Sequence, residues 1–232
     1  MHSTTLKPIY LLSDSQLLFN KIPNGQYYLH RIPQSFAGQD IKAVYIGASN
    51  NDQPEFFEIF KAGMNNIGIR DCTMIKSSFD SVDELHLKNA DLILMAGGDS
   101  IMGWNVIKNT GMFDMVMGGY KRGVQLIGVS AGSMQLGEQL LTDSAYQASD
   151  ILVDTMNLVP FNISAHDEGN NWKYLKKLVL QSNKTKKGIG IPFGAGAIFH
   201  SNGTIEAIGR SIYIFKLMDS EMKQEILEVV HS

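Results

Sequence analysis

Short apolar runs that end near glycine alternate along this chain with segments of helical periodicity. Residues 43–47 and 124–129 have the length and the β-branched content of strands that are buried on both faces. Between them, Pro54 opens one helical pattern and residues 100–109 form another. Alternation of this kind predicts a mostly parallel sheet with helices on both faces. We therefore expect a single α/β domain over residues 1–232.

The second half of the chain is less regular. Residues 158–165 indicate an extended segment, and residues 172–179 indicate a helix. Residues 197–208 predict two strands joined by a turn that contains glycine, so we expect a small β-hairpin region near the C-terminus. Residues 222–230 carry apolar side chains at helical spacing, which predicts a closing amphipathic helix.

The composition is that of a folded chain rather than a disordered one, since 44% of the residues are hydrophobic and 19% are charged. The formal net charge is −3, and the densest basic stretch, residues 184–187, holds only three lysines, so nucleic acid is not expected as a partner. Cys72 is the single cysteine, which excludes an intrachain disulfide. No apolar run approaches the roughly 20 residues of a membrane-spanning helix, so we expect a cytoplasmic protein without a membrane partner.

The most informative motif is Gly-Val-Ser-Ala-Gly at residues 128–132, directly after a predicted strand and before a plausible helix. In that context the motif predicts a nucleophile elbow with Ser130 as the nucleophile. To lift the serine hydroxyl clear of the sheet, the chain must turn within one residue, so its neighbours must be small. Gly128, Ala131 and Gly132 meet this requirement. The alternative is an ordinary turn rich in glycine and serine that only ends the strand.

A second turn, Gly97-Gly98-Asp99-Ser100, also follows an apolar strand. Neighbouring parallel strands end at the same edge of a sheet, so we expect the two turns to meet in a crevice. The backbone N–H groups of Gly98 and Ala131 are then candidate donors to an oxyanion, and Asp99 and Ser100 are candidate substrate contacts. The alternative is a simple strand-to-helix turn in which Asp99 or Ser100 caps the helix.

Among the six histidines, His166 is the candidate general base, because it lies where an apolar extended segment gives way to polar residues. A histidine in a surface loop is the alternative. For the acidic third member of a triad, Asp143 is favoured over Glu138. Asp167 and Glu168 adjoin the histidine, but neighbouring side chains rarely face one another in an extended chain.

The double-glycine turn, the elbow and a histidine 36 residues beyond Ser130 together resemble the dipeptidase E and cyanophycinase family of serine peptidases. The resemblance covers about residues 40–215 and implies a class I glutamine amidotransferase-like fold. It also implies Ser130 as the nucleophile, His166 as the base, and the amides of Gly98 and Ala131 as oxyanion donors. An acidic residue downstream of the elbow completes the triad in family members, which suits Asp143.

Two departures from the family pattern bear on specificity. Family members often carry an acidic residue after the strand that here ends at residues 190–192, whereas this chain has Phe193-Gly194. The N-terminal segment, residues 8–35, also looks particular to a subgroup. The preference of dipeptidase E for N-terminal aspartate is therefore not carried over to this chain. Nothing in the sequence marks a surface for binding the polymer cyanophycin.

The leading hypothesis is a serine hydrolase that cleaves small peptides through an acyl-enzyme on Ser130, with no metal or organic cofactor. One alternative is an esterase of the α/β-hydrolase kind, although that fold usually places its histidine near the chain end. Another is a binding or regulatory protein on the same scaffold. Glutamine amidotransfer is disfavoured because it uses a cysteine at the elbow. The expected partner is a small peptide substrate, and a homodimer is left open.

Overall fold

The computed structural model describes residues 6–142 and 151–229. The strands in this part of the chain are β1 (Ile9–Leu12), β2 (Lys42–Ile46), β3 (Asp71–Ile75), β4 (Leu92–Met95), β5 (Gln125–Val129), β6 (Gln139–Leu141), β7 (Leu152–Asp154), β8 (Asn162–Ala165), β9 (Lys187–Ile191), β10 (Gly196–Phe199), β11 (Ile205–Ile208), β12 (Ile212–Met218) and β13 (Glu221–Leu227). The α-helices are α1 (Arg31–Gln34), α2 (Pro54–Asn66), α3 (Ser81–Lys88), α4 (Ser100–Thr110), α5 (Met112–Lys121), α6 (Ala131–Leu136) and α7 (Lys173–Gln181).

A seven-stranded sheet with the order β11-β10-β1-β5-β4-β2-β3 organises the fold. Its strands β1, β5, β4, β2 and β3 are mutually parallel, and β10 and β11 add an antiparallel hairpin at one edge. A second sheet has the order β13-β12-β9-β8, and β6 pairs with β7. The predicted fold class, a mostly parallel sheet with flanking helices and a hairpin region towards the C-terminus, is confirmed.

The large sheet is covered on both faces, which explains why its central strands are continuously apolar. All four residues of β4 are buried. Ile93 and Met95 belong to the core formed with α4 and α5, whereas Leu92 and Leu94 belong to the core formed with α2. Alternate residues of one strand thus pack on opposite sides of the sheet. No helix in the described ranges combines the length and apolar character needed to cross a membrane.

Strand β1 is an element that the sequence patterns did not predict. It lies inside the large sheet, parallel to β5 on one side and antiparallel to β10 on the other. The register sets Leu12 beside Val129, the residue before Ser130. The N-terminal segment therefore supports the elbow directly, although only four residues of it form the strand.

The predicted closing helix is wrong: residues 221–227 form β13, which pairs with β12 in an antiparallel hairpin. Asp219 and Ser220 make the two-residue turn with φ values of 51° and 67°. Both φ values are positive, as in the type I′ turns that suit the right-handed twist of the two strands of a hairpin. Neither residue is the glycine that usually signals such a turn, and pairing with the free edge of β12 overrides the local helical spacing.

We expect Ile93→Ala to lower the free energy of unfolding by about 2–5 kcal/mol, because Ile93 is fully buried in the central strand β4 and the truncation leaves a cavity. Leu85→Ala is the matched control, since that side chain is 59% exposed on α3 and its loss should change stability by less than about 0.5 kcal/mol. Urea unfolding of both variants checks this. An equal loss in the two would contradict the assigned core.

Candidate active site

Ser130 sits at a sharp bend between β5 and α6. Its backbone has φ 49° and ψ −110°, a sparsely populated conformation that costs on the order of 1–3 kcal/mol. The Ser130 N–H donates to the carbonyl of Leu12 at 2.8 Å, and α6 begins at the next residue. A Cβ on Gly132 would lie 2.1 Å from the Met95 carbonyl oxygen, and one on Gly128 would lie 2.5 Å from the Ser133 nitrogen. The tight bend therefore needs both glycines.

His166 follows β8 and meets Ser130 from the second sheet. Its Nε2 lies 2.9 Å from Ser130 Oγ. Its own backbone N–H donates to the Ile191 carbonyl at 2.8 Å, and its φ of 44° turns the chain out of the strand. The Ser130 hydroxyl donates to Nε2 when the imidazole proton is on Nδ1. The structure thus brings together the two residues that the sequence indicates as nucleophile and base.

The double-glycine turn lies against the elbow. Gly98 has φ 133°, and a Cβ there would lie 1.9 Å from the Ser49 carbonyl oxygen. A Cβ on Gly97 would lie 3.3 Å from Ser130 Cβ. Within the described ranges, neither the Gly98 nor the Ala131 N–H has a hydrogen-bond partner. Both N–H groups are therefore free to donate to another acceptor, and their role as oxyanion donors stays a prediction.

Asp99 and Ser100 have structural contacts of their own. Asp99 Oδ1 accepts from the N–H groups of Ile101 and Met102, both at 2.9 Å, and so caps α4. This is the helix-capping alternative that the sequence left open. The Ser100 carbonyl accepts from Gln135 Nε2 at 2.9 Å, which ties α4 to α6. A substrate contact for either residue stays a prediction.

The favoured third triad member, Asp143, lies outside the described residues, so its role stays a prediction. Glu138 is placed away from the histidine. Its Oε2 accepts from the Thr185 N–H at 3.1 Å, just before β9 begins, and burial raises its pKa. His166 follows the end of β8, which runs parallel to β9. The Glu138 carboxylate and the imidazole therefore lie at opposite ends of this strand pair.

Asp167 is engaged with the helix that follows it. Its Oδ1 accepts from Asn170 Nδ2 at 3.0 Å, and its Oδ2 accepts from the Tyr174 N–H at 3.3 Å. The carboxylate therefore holds the short 3-10 turn at Glu168–Asn170 against the start of α7. Both of its oxygens thus have donors other than the imidazole of His166.

Glu168 contacts the loop after β9 from the histidine side of the site. Its Oε1 accepts from the Phe193 N–H at 2.9 Å, two residues beyond the carbonyl that holds His166. Its Oε2 is buried and has no hydrogen-bond partner within the described part of the chain. In an extended backbone, adjacent side chains point to opposite faces, whereas residues two apart, such as His166 and Glu168, share one face. The chain also turns out of β8 at His166, where φ is 44°, so the extended-chain argument does not separate these two side chains.

Cys72 lies on β3, away from this crevice, and burial raises the pKa of its thiol to about 11. The thiol therefore stays protonated at neutral pH. We expect iodoacetamide at pH 8 to label Cys72 at least about tenfold more slowly than free cysteine, with a rate that rises steeply towards pH 11. The reactivity of Ser130 towards a fluorophosphonate should survive both complete labelling of Cys72 and Cys72→Ser. Loss of Ser130 reactivity in step with Cys72 labelling would contradict this placement.

The chain is similar to known peptidases in both sequence and fold. A family-level match to Peptidase family S51 covers residues 9–208. A peptidase from an acI-B1 Actinobacterium superposes with a TM-score of 0.68 at 17% identity, over 97% of this chain and 98% of that one. A putative peptidase E protein from Listeria monocytogenes EGD-e superposes with a TM-score of 0.62 at 19% identity, over 87% of this chain and 98% of that one. At these identities the structural likeness concerns the fold. No curated protein sequence matches significantly.

Proposed function

The chain belongs to peptidase family S51, the serine peptidase family of dipeptidase E, and we propose that it hydrolyses short peptides through an acyl-enzyme on Ser130. The observation that carries the proposal is the 2.9 Å approach of His166 Nε2 to Ser130 Oγ at a strained elbow. That distance lies within the hydrogen-bond reach that proton transfer requires, about 2.6–3.2 Å.

The mechanism follows from this geometry. Ser130 Oγ attacks the scissile carbonyl carbon while His166 Nε2 takes the hydroxyl proton. The carbonyl oxygen becomes an oxyanion, which the N–H groups of Gly98 and Ala131 stabilise. Collapse of the tetrahedral intermediate breaks the C–N bond, and His166 gives its proton to the leaving amine. A water molecule then attacks the acyl-enzyme with His166 again as the base, which releases the acid and restores the Ser130 hydroxyl.

The position of His166 favours this assignment over an esterase of the α/β-hydrolase kind. One helix, α7, and five strands, β9 to β13, follow His166 in the chain, whereas that fold usually carries its histidine near the end. The contact between Ser130 Oγ and His166 Nε2 favours a reactive serine over a scaffold that only binds, because a base beside the hydroxyl is what activates a serine nucleophile. A cytoplasmic location and a homodimer stay predictions from the sequence.

Ser130→Ala should lower kcat by at least about 10⁴-fold, because the members of a triad act as a unit. It should also abolish labelling by a fluorophosphonate probe, which the parent enzyme takes up on Ser130. Ser133→Ala, in the helix that follows Ser130, is the matched control: its hydroxyl donates to the Leu12 carbonyl, so its loss costs about 1 kcal/mol of stability and leaves labelling intact. Equal labelling of Ser130→Ala and the parent would rule out the proposed nucleophile.

We propose that Glu168 is the positioning residue that orients His166, and the supporting observations are two. The Phe193 N–H holds one carboxylate oxygen next to the strand end that anchors the histidine, while the other oxygen is buried without a donor among the described residues. A buried carboxylate oxygen gains most from a donor such as an imidazole Nδ1–H. The hydrogen bond would form as the site tightens around substrate. In this chain Phe193 stands where family members often carry the acid, and Glu168 would supply the charge from the neighbouring turn.

Glu168→Gln should therefore lower kcat on the order of 10³-fold or more with little change in KM, because it weakens the acceptor that orients the imidazole during the reaction and not the binding of substrate. Glutamine keeps an acceptor for the Phe193 N–H, so a purely structural role would leave kcat close to the parent value. Asp143→Asn is the comparison: a greater effect there, with Glu168→Gln unchanged, would assign the acid to Asp143.

A further inference from the structure

A cavity of about 180 Å³ opens beside the double-glycine turn, between α2 and the ends of the central strands. Leu94, Ala96, Gly97, Gly98 and Val129 form its wall on the side of the sheet. Val129 directly precedes Ser130, and a Cβ on Gly97 would lie 3.3 Å from Ser130 Cβ. The cavity therefore adjoins the turn that carries Ser130.

Apart from Ser15 and two polar residues at one end, the rest of the wall is apolar. Phe60 and Leu18 are buried in it, while Phe56 and Ile59 of α2 are 45% and 37% exposed at its edge. Large apolar side chains left partly in water beside a reactive serine are available for contact with a ligand. At about 180 Å³ the cavity is smaller than the roughly 300–1,000 Å³ that holds a drug-sized ligand, so it suits a single side chain.

No charged residue lines the cavity in the part of the chain that the structure describes. Its polar end is formed by Tyr45 and Asn50, which are paired: Asn50 Nδ2 donates to the Tyr45 hydroxyl at 2.6 Å and to the Gly97 carbonyl at 3.3 Å. Burial raises the pKa of Tyr45 to about 12, so its hydroxyl is neutral at physiological pH. Asn50 Oδ1 is a buried acceptor with no partner among the described residues, and an acceptor repels a carboxylate.

We propose that this cavity is the subsite for the side chain next to the scissile carbonyl, on the acyl side, and that it selects an uncharged apolar side chain. Resting on the proposed function, this inference names the substrate class of the same site. A carboxylate entering the cavity would lose its hydration without meeting a cation, which is strongly unfavourable. An apolar side chain gains free energy by leaving water against the aromatic and aliphatic wall. The enzyme is thus specific for short peptides that present leucine, methionine or phenylalanine at this position.

The test compares leucyl and aspartyl p-nitroanilides with free amino groups. The parent enzyme should cleave the leucyl substrate with a kcat/KM at least about 10²-fold higher than the aspartyl one. Ile59→Arg places a cation at the edge of the cavity, so it should lower the leucyl value and raise the aspartyl value, shifting their ratio at least about tenfold. Val82→Arg is the matched control, because Val82 is 59% exposed on α3 and does not line the cavity.

Fluorophosphonate labelling separates failure of this inference from failure of the proposed function. If Ser130 is labelled and the aspartyl substrate is cleaved as well as the leucyl one, the subsite inference is overturned while the hydrolase stands. Equal leucyl-to-aspartyl ratios in Ile59→Arg and Val82→Arg would also overturn it. Competition with labelling extends the comparison to dipeptides that turn over slowly. A leucyl dipeptide should protect Ser130 from the probe at a lower concentration than an aspartyl dipeptide does. If Ser130 is not labelled and neither anilide is cleaved, the proposed function fails and the subsite falls with it.

Discussion

The pairing of β1 with β5 is the constraint on which the site depends. It sets the Leu12 carbonyl where it accepts both the Ser130 N–H and the Ser133 hydroxyl, each at 2.8 Å. The bend at the elbow is thereby anchored before α6 begins. Just beyond β1, Asp14 accepts the Gly194 N–H at 2.6 Å, and so one short N-terminal segment also holds the loop that contacts Glu168.

Both reactive residues occupy backbone conformations that a residue with a side chain normally avoids. Ser130 and His166 have φ values of 49° and 44°, and each costs on the order of 1–3 kcal/mol. Such strain persists only where the surroundings determine the conformation more strongly than local preference does. The surroundings here are two sheets, with the elbow on the first and the histidine at the end of a strand in the second. The placement of these two sheets brings the hydroxyl and the imidazole into contact.

The charges and the apolar surface of the site lie on different sides of the serine. The carboxylates of Asp167 and Glu168 lie on the histidine side, held by backbone N–H groups of the second sheet and its connections. The cavity beside Gly98 is walled by α2 and the strand ends, and its lining within the described ranges carries no charge. A substrate bound across the two would place its reacting carbonyl at the boundary, beside the unpaired amides. Under the role proposed for Glu168, this separation keeps the cavity apolar and supplies a negative charge beside the imidazole.

How much could be predicted depends on how local each signal is. The continuously apolar strands, the small residues around Ser130 and the glycines at residues 97–98 are dictated by steric requirements within a few residues, so the layered fold and the elbow could be read directly. The hairpin of β12 and β13 could not, because the helical spacing of residues 222–230 is overridden by pairing with a strand edge.

The sequence by itself determined where the chain must turn tightly and which segments must be buried on both faces, since those follow from side-chain size and apolarity at fixed positions. Only the tertiary structure decided that β1 lies beside β5, that Glu138 lies away from His166, and that the Glu168 carboxylate turns towards Phe193. Each of these features depends on contacts between residues far apart in the chain or on one residue in the left-handed backbone conformation. Long-range contacts and single left-handed residues leave no periodic signal in the sequence.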